Sequence, residues 1–354
     1  MPDGEGMRQR TDWVDAAKGL SIVLVVVLHS TLWLYQAGLV SDPGLNRFNA
    51  VFESVRMPLF FAMSGLFAAK WLRAPWSELL HSKVSVLLWA FVLWQVTVFG
   101  YRVAGGAILP EVTDGNLRSQ VLFLIVSPVR PNAELWFLWA LMVFFLLGRL
   151  LWRLPPALVL VTAAGASVLW SGMVQPAIGD EMRDLLGAGL FAFPQYFVFF
   201  LGAALFSAGI RRQVDRTPWP LAAAVLVVWT ALFAGWRVLE PAHGIPGAVF
   251  LEQCAGVLGG VALAVLLQRV GPLAHLGRHT LEVYLSHTVF IVAAACLLHL
   301  VDVEVADWPA SAAVAVVVPV VIALGLLVGR AAAGTWVLDA PETFRRALSG
   351  RAAD

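Results

Sequence analysis

The sequence predicts an all-α polytopic membrane protein of about ten transmembrane helices, with both termini cytoplasmic. Three observations carry this. Hydrophobic residues fill 60% of the 354 positions and charged residues 13%, against about 25% charged in a soluble domain. The apolar excess runs along the whole chain rather than collecting in one segment. Apolar windows of about 20 residues, the length that crosses a bilayer core, recur ten times. A net charge of +1 offers no field to attract nucleic acid. Cys254 and Cys296 both lie in apolar stretches and form neither a disulfide framework nor a metal cluster.

In chain order the windows fall near residues 16–36, 50–70, 84–101, 134–151 and 157–173, then 190–210, 219–237, 247–268, 279–299 and 310–330. The first follows Arg8, Arg10 and Lys18 and reads as a retained signal-anchor helix rather than a cleaved peptide. An even number of spans leaves both termini on one side, and the positive-inside rule decides which. Seventeen Lys and Arg fall on the N-terminal side and six on the other, with Arg56 inside a span. The ninth connection, with Asp302, Glu304, Asp307 and no basic residue, is the clearest outer loop. This gives a cytoplasmic segment 1–15, a ten-helix domain 16–330 and a cytoplasmic tail 331–354. Trp13, Trp71, Trp76, Trp136, Trp219, Trp236, Trp308 and Trp336 cluster near span ends, as an aromatic belt requires. The long connection 102–133 holds the run Val121 to Val126, too short to span and suited to a re-entrant or surface helix. Gly256/Gly260 and Gly325/Gly329 are GxxxG pairs that mark close helix contacts.

Ionisable groups in a bilayer are costly, so the few inside the windows are informative: His29, Glu53, Arg56, Glu134, Glu252, Glu282 and His287. Lys18 precedes His29 by eleven residues, about 20° past three full turns. The two share a helix face about 16 Å apart along the axis. A snorkelling Lys is the bland reading of Lys18; an intramembrane His is functional by default. Glu53 and Arg56, three apart, can neutralise one another, yet a guanidinium one helix away from His29 also suits an oxyanion or phosphate. Glu134 opens the fourth span beside Trp136 and Trp139, either belt residues or a platform for a sugar ring. Tyr284 and His287 share a face of the ninth helix. Ser64-Gly65 ends a Phe-Phe-x-x-Ser-Gly stretch whose small residues admit a close helix or a slender acyl chain.

Four stretches together resemble the acyltransferase-3 family of integral membrane acyltransferases. They are Asp15-Ala-Ala-Lys18-Gly19 with His29 beyond it, Arg56-Met-Pro-Leu-Phe-Phe-Ala-Met-Ser-Gly65, Glu134-Leu-Trp-Phe-Leu138, and Leu276-Gly-Arg-His-Thr-Leu-Glu-Val-Tyr-Leu-Ser-His287. They run in family order over roughly residues 8–330; the family often differs at the position of Glu134. The resemblance implies transfer of an acyl group, most commonly acetyl, from cytoplasmic acyl-CoA to a hydroxyl of a glycan or other envelope or secreted acceptor. It implies His29 as general base, or as a transient acyl carrier; Arg56 and Glu134 are read as catalytic beside it from their charge and their place in the spans. Lys18 and Ser64 would bind the donor, and Trp136, Tyr284 and His287 would line the substrate. No metal and no bound cofactor are implied; acyl-CoA is a co-substrate, and the partners are the lipid bilayer and the hydroxyl acceptor, with no nucleic acid. The implied location is the cell (inner) membrane, multi-pass. The rival from another class is a transporter or flippase for a lipid-linked or acylated substrate. Such a protein would show paired repeats with broken helices, and neither half of the chain has a second copy.

Overall fold

The computed structural model describes residues 3–40, 43–110, 116–131, 134–238, 245, 247–301 and 310–350. The expected outer loop, Asp302 to Asp307, and Trp308 lie outside these residues, as do the side chains of Arg8, Arg10, Trp236 and Arg237. Every described element is helical. Each of the ten apolar windows falls on helix, and among the described residues seven helices are long and apolar enough to cross a membrane. An eighth is reached if Ser207–Asp215 and the helix that begins at Trp219, bent by 108°, count as one span. Two windows yield shorter helices. The window 50–70 contains the 13-residue helix Glu53–Gly65, with Pro58 inside it, followed by the separate short helix Ala69–Arg73. The window 134–151 yields the 16-residue helix Trp136–Leu151. The run Val121 to Val126 is indeed helical, within Leu117–Val126.

The chain divides into two compact units, residues 1–21, 52–79 and 140–278 forming one and residues 22–51, 80–139 and 279–354 the other. In the first, Glu53–Gly65 packs against both Phe197–Leu205 and Ala248–Leu267. Both contacts rest on glycine. A Cβ on Gly65 would meet the Phe200 carbonyl oxygen at 2.1 Å, and one on Gly256 would meet that of Ser54 at 2.3 Å. Backbone therefore touches backbone, the approach that small residues permit in apolar surroundings. Phe61 stacks on Tyr196 and tilts against Phe144, at 5.5 and 4.9 Å between centroids. Trp13 is 2% exposed and donates its indole N–H to Asp215 at 3.0 Å, so it anchors two helices instead of joining the belt. Trp219, by contrast, is 72% exposed.

In the second unit Thr280–Leu300 packs against Ala310–Ala332 and against Ser85–Ile108. Gly325 faces Val283 and Ser286, and Gly329 faces Glu282, so this GxxxG pair also marks a helix crossing. The segment expected as a tail is folded. Its helix Glu342–Ser349 sets Phe344 on Trp89 at 5.2 Å, and Trp89 donates to the Trp336 carbonyl at 2.6 Å.

Gly65→Val and Gly256→Val should each lower the thermal midpoint of the detergent-solubilised protein, by the equivalent of about 1–3 kcal/mol of overpacking. Gly100, with open space around it, should accept Ala without loss.

Candidate functional site

His29 lies on the long first helix, Asp3–Gln36, and His287 on Thr280–Leu300. Both belong to the second unit. His29 Nδ1 and His287 Nε2 are 2.8 Å apart, and the ring centroids 4.8 Å. His287 is fully buried, and its Nδ1 lies 2.6 Å from the backbone carbonyl oxygen of Tyr284. A carbonyl cannot donate, so His287 Nδ1 carries the hydrogen. In the neutral ring Nε2 is then the acceptor, taking hydrogen bonds from His29 Nδ1–H and from the Thr288 hydroxyl at 3.2 Å. With its own hydrogen on Nδ1, the half-buried His29 keeps the basic lone pair on Nε2. One backbone carbonyl thus fixes the tautomers of two rings.

The surroundings are equally constrained. Tyr284 is buried, donates its hydroxyl to the Glu134 backbone carbonyl, and meets Phe137 edge-on at 5.6 Å. The Glu134 side chain is 5% exposed and pairs with Arg102 across 3.5 Å. Tyr101 lies beside both charges and edge-on to Trp33, one turn beyond His29, at 6.3 Å. The pair satisfies the rule that a charge out of water needs an opposite one. Glu134 Oε2 is buried and has no hydrogen-bond partner among the described residues.

Of the residues singled out from sequence, His29, Glu134, Tyr284 and His287 are thus joined by contacts. Trp136 is half-buried at the start of its helix, two residues from Glu134. Trp139 donates to the Pro128 carbonyl at 2.9 Å, which ties the preceding connection down. Lys18, Arg56 and Ser64 belong to the first unit. Lys18 lies 4.9 Å from the centroid of Phe67. Arg56 is 5% exposed and interacts electrostatically with Glu53 and Tyr196. Ser64 donates its hydroxyl to the Phe60 carbonyl one turn back, at 2.9 Å. No group of three or more His, Cys, Asp or Glu suited to a metal occurs among the described residues, and the two imidazoles spend their facing nitrogens on each other.

Arg102, Tyr101 and Trp33 were not singled out. Arg102 was lost to a boundary: the apolar window ends at residue 101, whereas the helix Ser85–Ile108 runs seven residues further. A guanidinium inside a span is as informative as a histidine, and only the placement of the helix end hid it.

The profile of a family described as "Acyltransferase domain", acyltransferase-3, matches residues 11–329. The inner membrane protein YcfT of Escherichia coli (strain K12) is 26% identical over 163 residues, covering 42% of this chain and 46% of YcfT. The match therefore spans about half the length of that relative. No solved structure matches the chain.

Arg102→Met leaves the Glu134 carboxylate buried without its partner and should cost about 3 kcal/mol, the low end for such a break. Adding Glu134→Gln should recover part of the loss in the same thermal-unfolding measurement; strictly additive losses would show that the two charges are not an energetic unit.

Proposed function

The chain belongs to the acyltransferase-3 family, and on that footing we propose that it moves an acyl group from cytoplasmic acyl-CoA to a hydroxyl acceptor. Acetyl is the first candidate group, and a glycan or other envelope or secreted molecule the first candidate acceptor. The cell membrane is the proposed location, which the inner-membrane name of YcfT supports. The observation that carries the mechanism is the 2.8 Å contact between His29 Nδ1 and His287 Nε2, with the Tyr284 carbonyl behind it.

The step balances as follows. His29 Nε2 takes the proton of the acceptor hydroxyl while that oxygen attacks the thioester carbonyl carbon. The His29 Nδ1 hydrogen can pass to His287 Nε2 in the same motion, so the positive charge is shared by two rings instead of resting on one. Collapse of the tetrahedral intermediate breaks the C–S bond, and the departing thiolate recovers the proton. An ester and free CoA result. A neutral base is what an apolar site favours, because burial disfavours the charged ring.

The other roles follow from chemistry. Arg56, a buried guanidinium, suits an oxyanion or a phosphate. Glu134 lends negative charge to the histidine pair and, through its backbone carbonyl, orients Tyr284. Lys18 offers a point charge to the donor's phosphates. Ser64, whose hydroxyl is spent on its own helix, leaves a slim surface for the donor arm and is not a nucleophile. Trp136 supplies an apolar ring near the acceptor.

In nanodiscs, thiol release from radiolabelled acetyl-CoA with an acceptor pool should fall about 10²–10⁴-fold in His29→Ala, the usual worth of a general base, and persist in Glu282→Ala. Undiminished turnover in His29→Ala would end the assignment of that residue. In His287→Ala the tautomer of His29 is free to change, and kcat should fall with KM for the donor unchanged.

A further inference from the structure

Two cations from separate parts of the first unit converge on one ring. Lys18 Nζ lies 4.9 Å and Arg211 Cζ 5.9 Å from the centroid of Phe67. Phe67 is 38% exposed, so the cluster opens outward instead of closing a core. Arg211 donates Nε to the Ser207 carbonyl at 3.2 Å, which aims the side chain and leaves its Nη donors to present. The acid that interacts with Lys18 is Asp15, one turn back on the same helix; it is shared with Arg278, whose Nη1 is 3.4 Å from its Oδ2. No carboxylate lies within ion-pair distance of Lys18 or Arg211 among the described residues. The face of an aromatic ring attracts each cation but does not cancel their mutual repulsion. An anion seated between them neutralises both. A phosphate oxygen set suits an ammonium point charge beside a planar guanidinium.

We propose that Lys18 and Arg211, carried on Phe67, form a phosphate clamp. Resting on the reading above, its phosphate is that of the nucleotide end of acyl-CoA, and Arg211 sets donor affinity as much as Lys18 does. A phospholipid headgroup presents the same chemistry, so the test separates the two sources. Full-length protein in nanodiscs of zwitterionic lipid is titrated with CoA, and thiol release from acetyl-CoA is measured beside it. Arg211→Gln and Lys18→Gln should each raise the CoA Kd and the donor KM about tenfold with kcat unchanged. Arg211→Lys should retain most of the affinity. Arg212→Gln, which removes the same charge from an exposed neighbour, should change neither constant. Turnover with unchanged Kd and KM in Arg211→Gln and Lys18→Gln overturns the clamp and leaves acyl transfer standing. If the wild type binds no CoA but Arg211→Gln loses bound anionic phospholipid by native mass spectrometry, the clamp holds a lipid phosphate and the acyl-CoA reading falls. If neither ligand responds to either variant, the clamp falls.

Discussion

The contact between two imidazoles is the interaction on which the candidate site depends. Its geometry alone would not say which ring is the base, because either nitrogen could carry the shared hydrogen. The Tyr284 carbonyl removes that freedom by demanding a donor at His287 Nδ1. Everything downstream follows: His287 accepts, His29 donates, and the lone pair of the pair as a whole emerges at His29 Nε2. Tyr284 serves twice, its carbonyl holding His287 and its hydroxyl held by Glu134. One residue on Thr280–Leu300 thus couples the imidazoles to the turn before Trp136–Leu151. The tautomer of the pair is thus set by a backbone carbonyl.

A bilayer interior supplies no water, so a polar group left without a partner there is costly. The spans answer this in two ways. Hydroxyls turn back on their own helix: Ser21 donates to the Ala17 carbonyl, Thr31 to Val27, Ser64 to Phe60 and Ser286 to Glu282. These need nothing from elsewhere and are cheap wherever they fall. The facing nitrogens of the two imidazoles and the Arg102–Glu134 pair are not satisfied so locally, and each is met by a residue distant in sequence. The second kind places a demand on the whole fold. A polar group that is expensive to keep and is met across helices marks the chemistry better than polarity alone.

The class of fold was legible because hydropathy is a composition signal, and composition survives any error in helix ends. Lys18 and His29 were legible as a pair because both lie on one uninterrupted helix, where 3.6 residues per turn fixes their relation. Tyr284 and His287, three apart, were visible as one helix face for the same reason. That His287 points its other nitrogen at His29 was not legible, since no periodicity links two helices 258 positions apart. The number of spans was less legible, because a window of hydropathy does not see the break after Gly65 that divides residues 50–70. Trp13 misled in a different way. Near a span end an indole suits the headgroup zone, but its N–H is taken by Asp215, a partner from a helix far along the chain.

Arg102 shows how a site extends beyond the atoms that react. Its guanidinium neutralises Glu134, a carboxylate almost wholly out of water. Without that charge the Glu134 carboxylate is left buried and unpaired, which favours movement toward solvent. Movement would carry its backbone carbonyl away from the Tyr284 hydroxyl, and Tyr284 in turn holds the carbonyl on which His287 rests. The ion pair and the imidazoles are therefore joined by a chain of contacts through Glu134 and Tyr284, with no contact between Arg102 and the imidazoles required. In the proton transfer we propose for His29, Arg102 would act at a distance from the reacting atoms, by holding this chain of contacts in place.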